Sequence, residues 1–120
     1  MSRIQSRENA FKIIYSKLYV NDAEISPIEE IDDFCTLLVD GFTNNFEAIK
    51  EKVSSNLKGT TLERIYKIDL ALIYLAVAEI FYTENSEYKV VINEVVNLAK
   101  KYSTDNSPKF INGFLAGLVK

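Results

Sequence analysis

The sequence predicts an all-α fold, a compact helical bundle, and three observations support this prediction. Apolar residues recur at three- and four-residue spacing along most of the 120 residues, which is the period of an amphipathic helix. Several segments open on capping residues or end on glycine, the usual start and stop signals of helices. One segment has strand-like composition, but no second candidate exists to pair with it. We therefore expect a single helical domain over residues 1–120.

The first helix is predicted to begin after Ser2, which forms a capping-box pair with Gln5. One stripe at helical spacing would face the core, and it consists of Ile4, Phe11, Ile14 and Leu18. Arg7 falls inside this stripe. Because arginine has a long stem, we expect its charged end to reach past the core edge into solvent.

A second helical segment is predicted after a polar stretch. Ser26 supplies an N-cap, Pro27 suits the first helical position and Glu29 completes a capping box. A sustained apolar seam follows, made up of Ile31, Phe34, Cys35, Leu38, Phe42, Ile49, Val53 and Leu57. Gly41 within the seam predicts that another backbone approaches closely. Gly59 predicts the stop, since glycine adopts the left-handed conformation at little cost.

The central helix is predicted next, opened by the capping-box pair Thr60 and Glu63. Nearly every residue from 65 to 82 is apolar or aromatic. A helix that is apolar on all sides must be covered on several of them, so we expect it at the centre of the fold. A break is predicted over residues 83–87.

Residues 88–102 carry the one ambiguous pattern. Five β-branched residues are typical of a strand, namely Val90, Val91, Ile92, Val95 and Val96. Another set recurs at helical spacing, namely Tyr88, Ile92, Val95, Ala99 and Tyr102. Because there is no second strand to pair with, we predict a helix.

The last helix is predicted to be capped by Asn106 or Ser107, with Pro108 at its first position. Its apolar face consists of Phe110, Ile111, Phe114, Leu115 and Leu118. Gly113 and Gly117 are four residues apart and predict a flat groove for a neighbouring helix.

Charge is distributed unevenly along the chain, whose net charge is −3. Residues 1–20 carry four basic residues against one acidic, and residues 88–120 carry five against two. Residues 21–49 carry eight acidic residues and no basic one. If the two basic ends meet in space, they form one basic surface suited to nucleic acid. The alternative is that they are ordinary solvated helix faces.

The residue types argue against an enzyme and against a metal site. The chain has no histidine and one cysteine, Cys35, so neither a catalytic pair nor a zinc site is available, and no intrachain disulfide can form. No glycine-rich phosphate loop is present. Carboxylates cluster at 29–33, where acids favour the helix dipole. We expect no enzymatic activity, no cofactor and no bound metal.

Nothing in the sequence predicts a membrane segment. The longest apolar run, residues 70–78, is too short to span a bilayer. The N-terminus lacks the apolar stretch of a signal peptide. We therefore expect a cytoplasmic protein.

Five blocks carry a family resemblance. Near the C-terminus they read YKVVINE (88–94), LAKKY (98–102) and SPKFINGFL (107–115), and upstream IDLALIYLAVAEIFY (68–82) and the segment 7–16. In this order they resemble the NusB family of transcription antitermination factors. The three C-terminal blocks resemble its motifs P-Y-K-V-A-I-N-E, L-A-K-K-F and D-S-H-K-F-V-N-G-V-L, and the upstream blocks resemble its central and first helices.

The resemblance implies a fold of two small helical subdomains, which here would be residues 1–58 and 59–120. It implies binding to boxA-type single-stranded RNA of ribosomal RNA leaders together with NusE, a small-subunit ribosomal protein. It further implies that the complex joins RNA polymerase and suppresses termination.

By position, the resemblance assigns an RNA-binding surface to Arg3, Arg7, Tyr15, Asn106, Ser107, Lys109 and Phe110. It assigns a partner-binding site to Asp69, and Glu79 lies on the same helix. Lysine and arginine would neutralise phosphates. The rings of Tyr15 and Phe110 would stack on bases, with core packing as the alternative for Phe110.

Three departures from the family pattern are visible. The family's run of arginines is reduced to Arg3 and Arg7, its histidine is Pro108, and its aspartate is Asn106. Because fewer phosphates are neutralised, we expect weak RNA binding by the chain alone and greater dependence on NusE. Two alternatives are a helical adaptor with little RNA binding and the accessory RNA-binding module of a ribosomal RNA cytosine methyltransferase.

Overall fold

The computed structural model describes residues 2–19, 30–84 and 86–120, and this part of the chain contains six α-helices and no strand. The helices are α1 (Arg3–Leu18), α2 (Asp33–Asn44), α3 (Phe46–Asn56), α4 (Lys67–Tyr82), α5 (Tyr88–Tyr102) and α6 (Ser107–Leu118). The predicted all-α fold is confirmed. None of the described helices is long and apolar enough to cross a membrane.

Helix α4 is the centre of the fold, as predicted. It packs against each of the other five helices, and every residue from Ile68 to Glu79 is buried. A helix enclosed in this way has no solvent face, which explains why its sequence shows no amphipathic stripe. Its neighbours therefore take their positions from contacts with α4.

The start of α4 differs from the prediction. Thr60 and Glu63 do not cap it; a short 3-10 helix, Leu62–Arg64, intervenes and α4 begins at Lys67. The Glu63 carboxylate accepts hydrogen bonds from its own backbone amide and from Thr61, which lower its pKa. Gly59 has the predicted left-handed conformation, with φ of 76°.

The apolar seam predicted over residues 31–57 lies on two helices, α2 and α3, rather than on one. The chain breaks at Asn45, whose backbone has φ of −125° and ψ of 22°. The Asn45 side chain donates to the Gly41 carbonyl at 2.9 Å, the local competition with the helix ladder that is typical of asparagine. Most of the seam is still buried, but Ile31 is exposed, contrary to the prediction.

The predicted N-cap at Ser26, with Pro27 and Glu29, lies outside the described residues. Residues 30–32 are not helical, and α2 begins at Asp33. Its cap is Asp32, whose Oδ1 accepts from the Cys35 amide at 2.9 Å. Asp32 Oδ2 also accepts from the Ser6 hydroxyl at 2.5 Å. One carboxylate thus caps α2 and ties it to α1, so this member of the acidic cluster is structural.

The predicted cap of α1 is confirmed, because the Gln5 amide donates to Ser2 Oγ at 3.1 Å. Phe11 and Ile14 are fully buried. Ile4 is 58% exposed, so its place in the predicted core stripe is wrong.

The C-terminal helices follow the prediction closely. Helix α5 has the predicted bounds, and α6 begins after Asn106 with Pro108 in its first turn, although the Asn106 side chain makes no capping hydrogen bond. At Gly41 a Cβ would lie 3.7 Å from the Tyr82 carbonyl oxygen, which is the predicted close approach of a backbone. Gly113 and Gly117 line an open groove, as predicted, but no neighbouring helix fills it, because no described atom lies within 4 Å of a Cβ at either position.

Candidate nucleic-acid interface

The start of α6 presents a cation and an aromatic ring to solvent. Asn106, Lys109 and Phe110 are all exposed, and 36% of Phe110 is accessible. Within the described residues, Lys109 forms no ion pair. An unpaired ammonium beside an exposed ring can neutralise a phosphate and stack on a base. All three residues belong to the RNA-binding surface that was predicted from the sequence.

Asp69 holds this end of α6 in place from the centre of the fold. Ser107 Oγ donates to Asp69 Oδ2 at 2.9 Å, and Ser103 Oγ donates to Oδ1 at 2.5 Å. The Thr104 amide in turn donates to Ser107 Oγ at 3.2 Å. One carboxylate of α4 therefore fastens both ends of the loop that joins α5 to α6.

These contacts correct two predictions. Asp69 is 6% exposed and Ser107 is 1% exposed, so neither presents its side chain to a partner or to RNA. The α5–α6 loop covers Asp69 at the start of α4. Asp69 and Ser107 act as positioning residues for the surface that Lys109 and Phe110 form.

The Glu8 carboxylate joins α1 to the end of α5. Two basic residues, Lys12 and Lys101, lie close to it. Glu8 Oε2 accepts from Lys101 Nζ at 2.5 Å and from the Tyr102 hydroxyl at 2.7 Å. Burial raises the pKa of Glu8, but the hydrogen bonds from Lys101 and Tyr102 and the nearby charge of Lys12 outweigh it and lower the pKa overall.

Lys12 and Lys101 were not among the residues predicted for the RNA-binding surface. The Lys101 side chain is 60% exposed even in its ion pair, so its charge faces solvent. The only sequence feature that pointed to Lys101 was the LAKKY block. The family resemblance includes this block but assigns no role to its lysines. No sequence feature pointed to Lys12, because its position beside Glu8 and Lys101 depends on the packing of α1 against α5.

Arg7 and Glu79 are paired in the interior. Their side chains are 6% and 0% exposed, with Arg7 Nε 2.7 Å from Glu79 Oε1. The hydrogen bond to Glu79 raises the pKa of Arg7 further, so the guanidinium stays charged. The prediction that Arg7 reaches solvent is wrong, and the carboxylate of Glu79 is enclosed rather than offered to a partner.

Tyr15 and Arg3, the other predicted residues of α1, have different positions. Tyr15 is 1% exposed, and its ring centroid lies 5.0 Å from that of Tyr19 and 6.2 Å from that of Phe11. Its ring is a core element and gives no platform for a base. Arg3 is exposed, with its guanidinium 4.3 Å from the centroid of the Phe34 ring.

The two basic ends of the chain contact different parts of α4. Arg7 lies beside Glu79 and Ser107 lies beside Asp69, ten residues apart on α4, which is about 15 Å along a helix. The start of α1 is therefore at the opposite end of α4 from the start of α6. Lys101 connects the two regions, because it pairs with Glu8, next to Arg7, and lies two residues before Ser103, which contacts Asp69.

The described residues offer no cluster suited to hold a metal ion. No group of three acidic, cysteine or histidine side chains among them is placed to hold a metal ion. Burial raises the pKa of Cys35 to about 11, so its thiol is protonated and unsuited to act as a nucleophile.

Comparison with known proteins gives consistent matches over the whole chain. The family model described as NusB family matches residues 4–120. The chain is 37% identical to the transcription antitermination protein NusB of Clostridium novyi, a match that covers 100% of this chain and 99% of that protein. It is 40% identical to the NusB of Macrococcus caseolyticus, covering 100% and 98%.

Solved structures agree with this fold. T. maritima NusB superposes with a TM-score of 0.83 at 26% identity, covering 98% of this chain and 90% of that one. A crystal structure of the antitermination factors NusB and NusE in complex with double-stranded RNA gives a TM-score of 0.79 at 25% identity, covering 98% and 97%.

Proposed function

Because this chain belongs to the NusB family, we propose that it is an RNA-binding transcription antitermination factor. It pairs with NusE on boxA-type single-stranded RNA of ribosomal RNA leaders, enters the RNA polymerase antitermination complex and suppresses termination. The relatives named for antitermination match it over nearly their full length. One structural neighbour is a complex of NusB, NusE and RNA.

One observation carries the proposal: the exposed pair Lys109 and Phe110 at the rigidly held start of α6. Asp69 fixes the preceding loop through two serine hydroxyls. A binding surface held in its active geometry loses less conformational entropy when its ligand arrives. This preorganised pair supports RNA binding over the alternative of a helical adaptor that does not bind RNA.

The residues divide into contacts and supports in this proposal. Direct RNA contacts are assigned to Arg3, Lys12, Lys101, Asn106, Lys109 and Phe110. Asp69 and Ser107 position the α6 start, and Arg7, Tyr15 and Glu79 stabilise the interior. We assign no partner contact to a single residue. The two halves, 1–58 and 59–120, act as one non-enzymatic domain in the cytoplasm.

The partner is needed because the start of α1 offers RNA fewer cations than the family's run of arginines would. Of the two arginines expected to contact RNA, only Arg3 faces solvent, since Arg7 is buried with Glu79. RNA affinity falls with each phosphate contact that is lost, most steeply in salt. We therefore expect weak binding by the chain alone and clearly tighter binding with NusE.

The test is the affinity for a labelled single-stranded boxA RNA, measured by fluorescence anisotropy at fixed salt with and without NusE. Tighter binding with NusE is expected. A matched RNA with a scrambled sequence controls for charge alone, and a double-stranded probe reports on strandedness. Equal affinities with and without NusE would contradict the proposed partnership.

A further inference from the structure

An open groove runs along α6 on the side that faces the turn after α3. Its volume is about 660 Å³, within the range of about 300–1,000 Å³ that is usual for ligand sites. Its apolar lining consists of Leu57, Phe110, Phe114 and Leu118. Phe110 belongs both to this groove and to the candidate interface, so the two surfaces are continuous.

The floor of the groove is formed by two glycines of α6. Neither Gly113 nor Gly117 has any described atom within 4 Å of the place where a Cβ would be. Each glycine costs a helix about 1 kcal/mol relative to alanine. No close packing explains that cost here, whereas Gly41 does approach a backbone. The glycines instead widen the groove.

The two charged residues that line the groove are both basic. Lys58 stands on one rim, in the turn after α3, and Lys109 stands on the other. Both are exposed, and neither forms an ion pair among the described residues. The remaining polar lining residues are uncharged, namely Asn56, Thr60 and Asn106. An apolar floor between two free ammonium groups matches a ligand that has flat rings and an anionic backbone.

We propose that this groove receives bases of the single-stranded RNA that reaches the start of α6, and that Lys58 is a phosphate contact. The ring of Phe110 at the mouth and that of Phe114 along the floor offer stacking surfaces for unpaired bases, which in RNA recognition are commonly splayed onto aromatic side chains. This inference rests on the proposed function, because the RNA is the ligand that the interface next to the groove binds. It extends the RNA path from α6 across to the α3–α4 turn.

A basic protein segment is the competing occupant, and the charges disfavour it. The groove has no carboxylate in its lining, so a lysine- or arginine-rich chain would meet Lys58 and Lys109 without a counter-charge. Like charges brought together at an interface reduce association. RNA supplies the opposite charge on both rims at once.

Two variants test the groove, each with a matched control. Lys58→Ala removes the rim charge, and Lys89→Ala removes an exposed lysine of α5 that lines a different groove. Gly113→Leu fills the floor, and Gly113→Ala adds one methyl group. Both Gly113 substitutions should raise the melting temperature, because alanine and leucine are better helix formers than glycine. A loss of RNA affinity in Gly113→Leu would then not reflect unfolding.

Affinity for labelled single-stranded boxA RNA is measured with NusE present, over a series of salt concentrations. Gly113→Leu should weaken binding about five-fold or more, the effect of losing one stacked base. Lys58→Ala should lower the log–log salt slope by about 0.7, the value of one phosphate on a single strand. Lys89→Ala should bind like the unmodified chain, and Gly113→Ala, which adds a single methyl group, should weaken binding less than Gly113→Leu.

Three results would overturn the inference. If the unmodified chain binds RNA but Lys58→Ala and Gly113→Leu bind equally well, the groove is not part of the RNA path and the proposed function stands. If Gly113→Leu weakens NusE binding in the absence of RNA, as calorimetry would show, the occupant is the protein partner. If the unmodified chain with NusE does not bind RNA, the inference and the proposed function fail together.

Discussion

Arg7 and Glu79 lie 72 residues apart in the chain and form a two-pronged ion pair in the interior, with Nε donating to Oε1 at 2.7 Å and Nη2 donating to Oε2 at 2.8 Å. The Ser86 hydroxyl also donates to Glu79 Oε2, at 2.9 Å. The pair fastens the start of α1 to the end of α4. Each charge depends on the other, because an unpaired charge in the interior is costly.

Removing one partner of this pair should therefore destabilise the fold strongly. We predict that Arg7→Ala and Glu79→Ala each lower the free energy of unfolding by about 3–5 kcal/mol. Urea denaturation followed by circular dichroism gives the value. Arg3→Ala, at an exposed site, is the control and should change it by no more than about 1 kcal/mol, the worth of its exposed contact with the Phe34 ring. A similarly small change in Arg7→Ala would show that the pair is not formed.

The Asp69 contacts predict a second stability effect, with a consequence for binding. Asp69→Ala should lower the free energy of unfolding by about 1.5–3 kcal/mol, as for a hydrogen bond to a charged group. It should also weaken RNA binding, because the start of α6 loses its anchor. Thermal melts and RNA anisotropy provide the two readouts. Asp105→Ala removes an exposed acid from the same loop and should alter stability little; an equal loss there would contradict the positioning role of Asp69.

The lowered pKa of Glu8 predicts how stability depends on pH. A carboxyl group that holds its proton less tightly in the folded chain stabilises the fold above its ordinary pKa, and this contribution is lost as the pH falls through the folded pKa. Glu8→Gln should therefore melt at a lower temperature than the unmodified chain near neutral pH. The gap should close in acid, below the ordinary glutamate pKa of about 4.3.

Melting curves collected from neutral pH into the acid range test this prediction. Glu51→Gln replaces an exposed acid on α3 and controls for the general effect of one charge. A gap between Glu8→Gln and the unmodified chain that widens in acid would contradict the roles of Lys101 and Tyr102 as its partners.

The exposed cations should account for the salt dependence of RNA binding. We predict that Lys109→Ala and Arg3→Ala each lower the log–log salt slope by about 0.7 with little change in the melting temperature. Lys120→Ala, at the end of the chain, is the matched control. Unchanged slopes in both interface variants would place the RNA on another surface.

Local chemistry made several elements predictable. Ser2, Asn106 and Pro108 mark helix starts through side-chain and backbone properties of one turn, and the structure has helices there. The unbroken apolar run of residues 70–78 predicted a central helix, because a helix that is apolar on all sides must be covered on several of them. The break at Asn45 was missed because the apolar seam continues through it, and a competing side-chain hydrogen bond does not alter the apolar pattern.

The interior polar contacts could not be predicted from the sequence, for a different reason. Arg7, Glu79 and Asp69 each look like surface residues, since charged residues are rarely buried unless they are paired. Their partners are supplied by tertiary packing across dozens of residues, as with Arg7 and Glu79. The family resemblance assigned the RNA-binding surface to two segments, the start of α1 and the start of α6. It did not indicate which side chains in those segments face inward.

The central claim is that this chain binds boxA RNA through the start of α6, and crosslinking tests it most directly. The chain, NusE and a single-stranded boxA RNA are irradiated with ultraviolet light, and crosslinked peptides are identified by mass spectrometry. The structure predicts crosslinks at Phe110, since its ring is exposed beside Lys109, and none at the buried ring of Tyr15. Crosslinks confined to α2, whose charged residues are both acidic, with Phe110 unmodified, would contradict the claim.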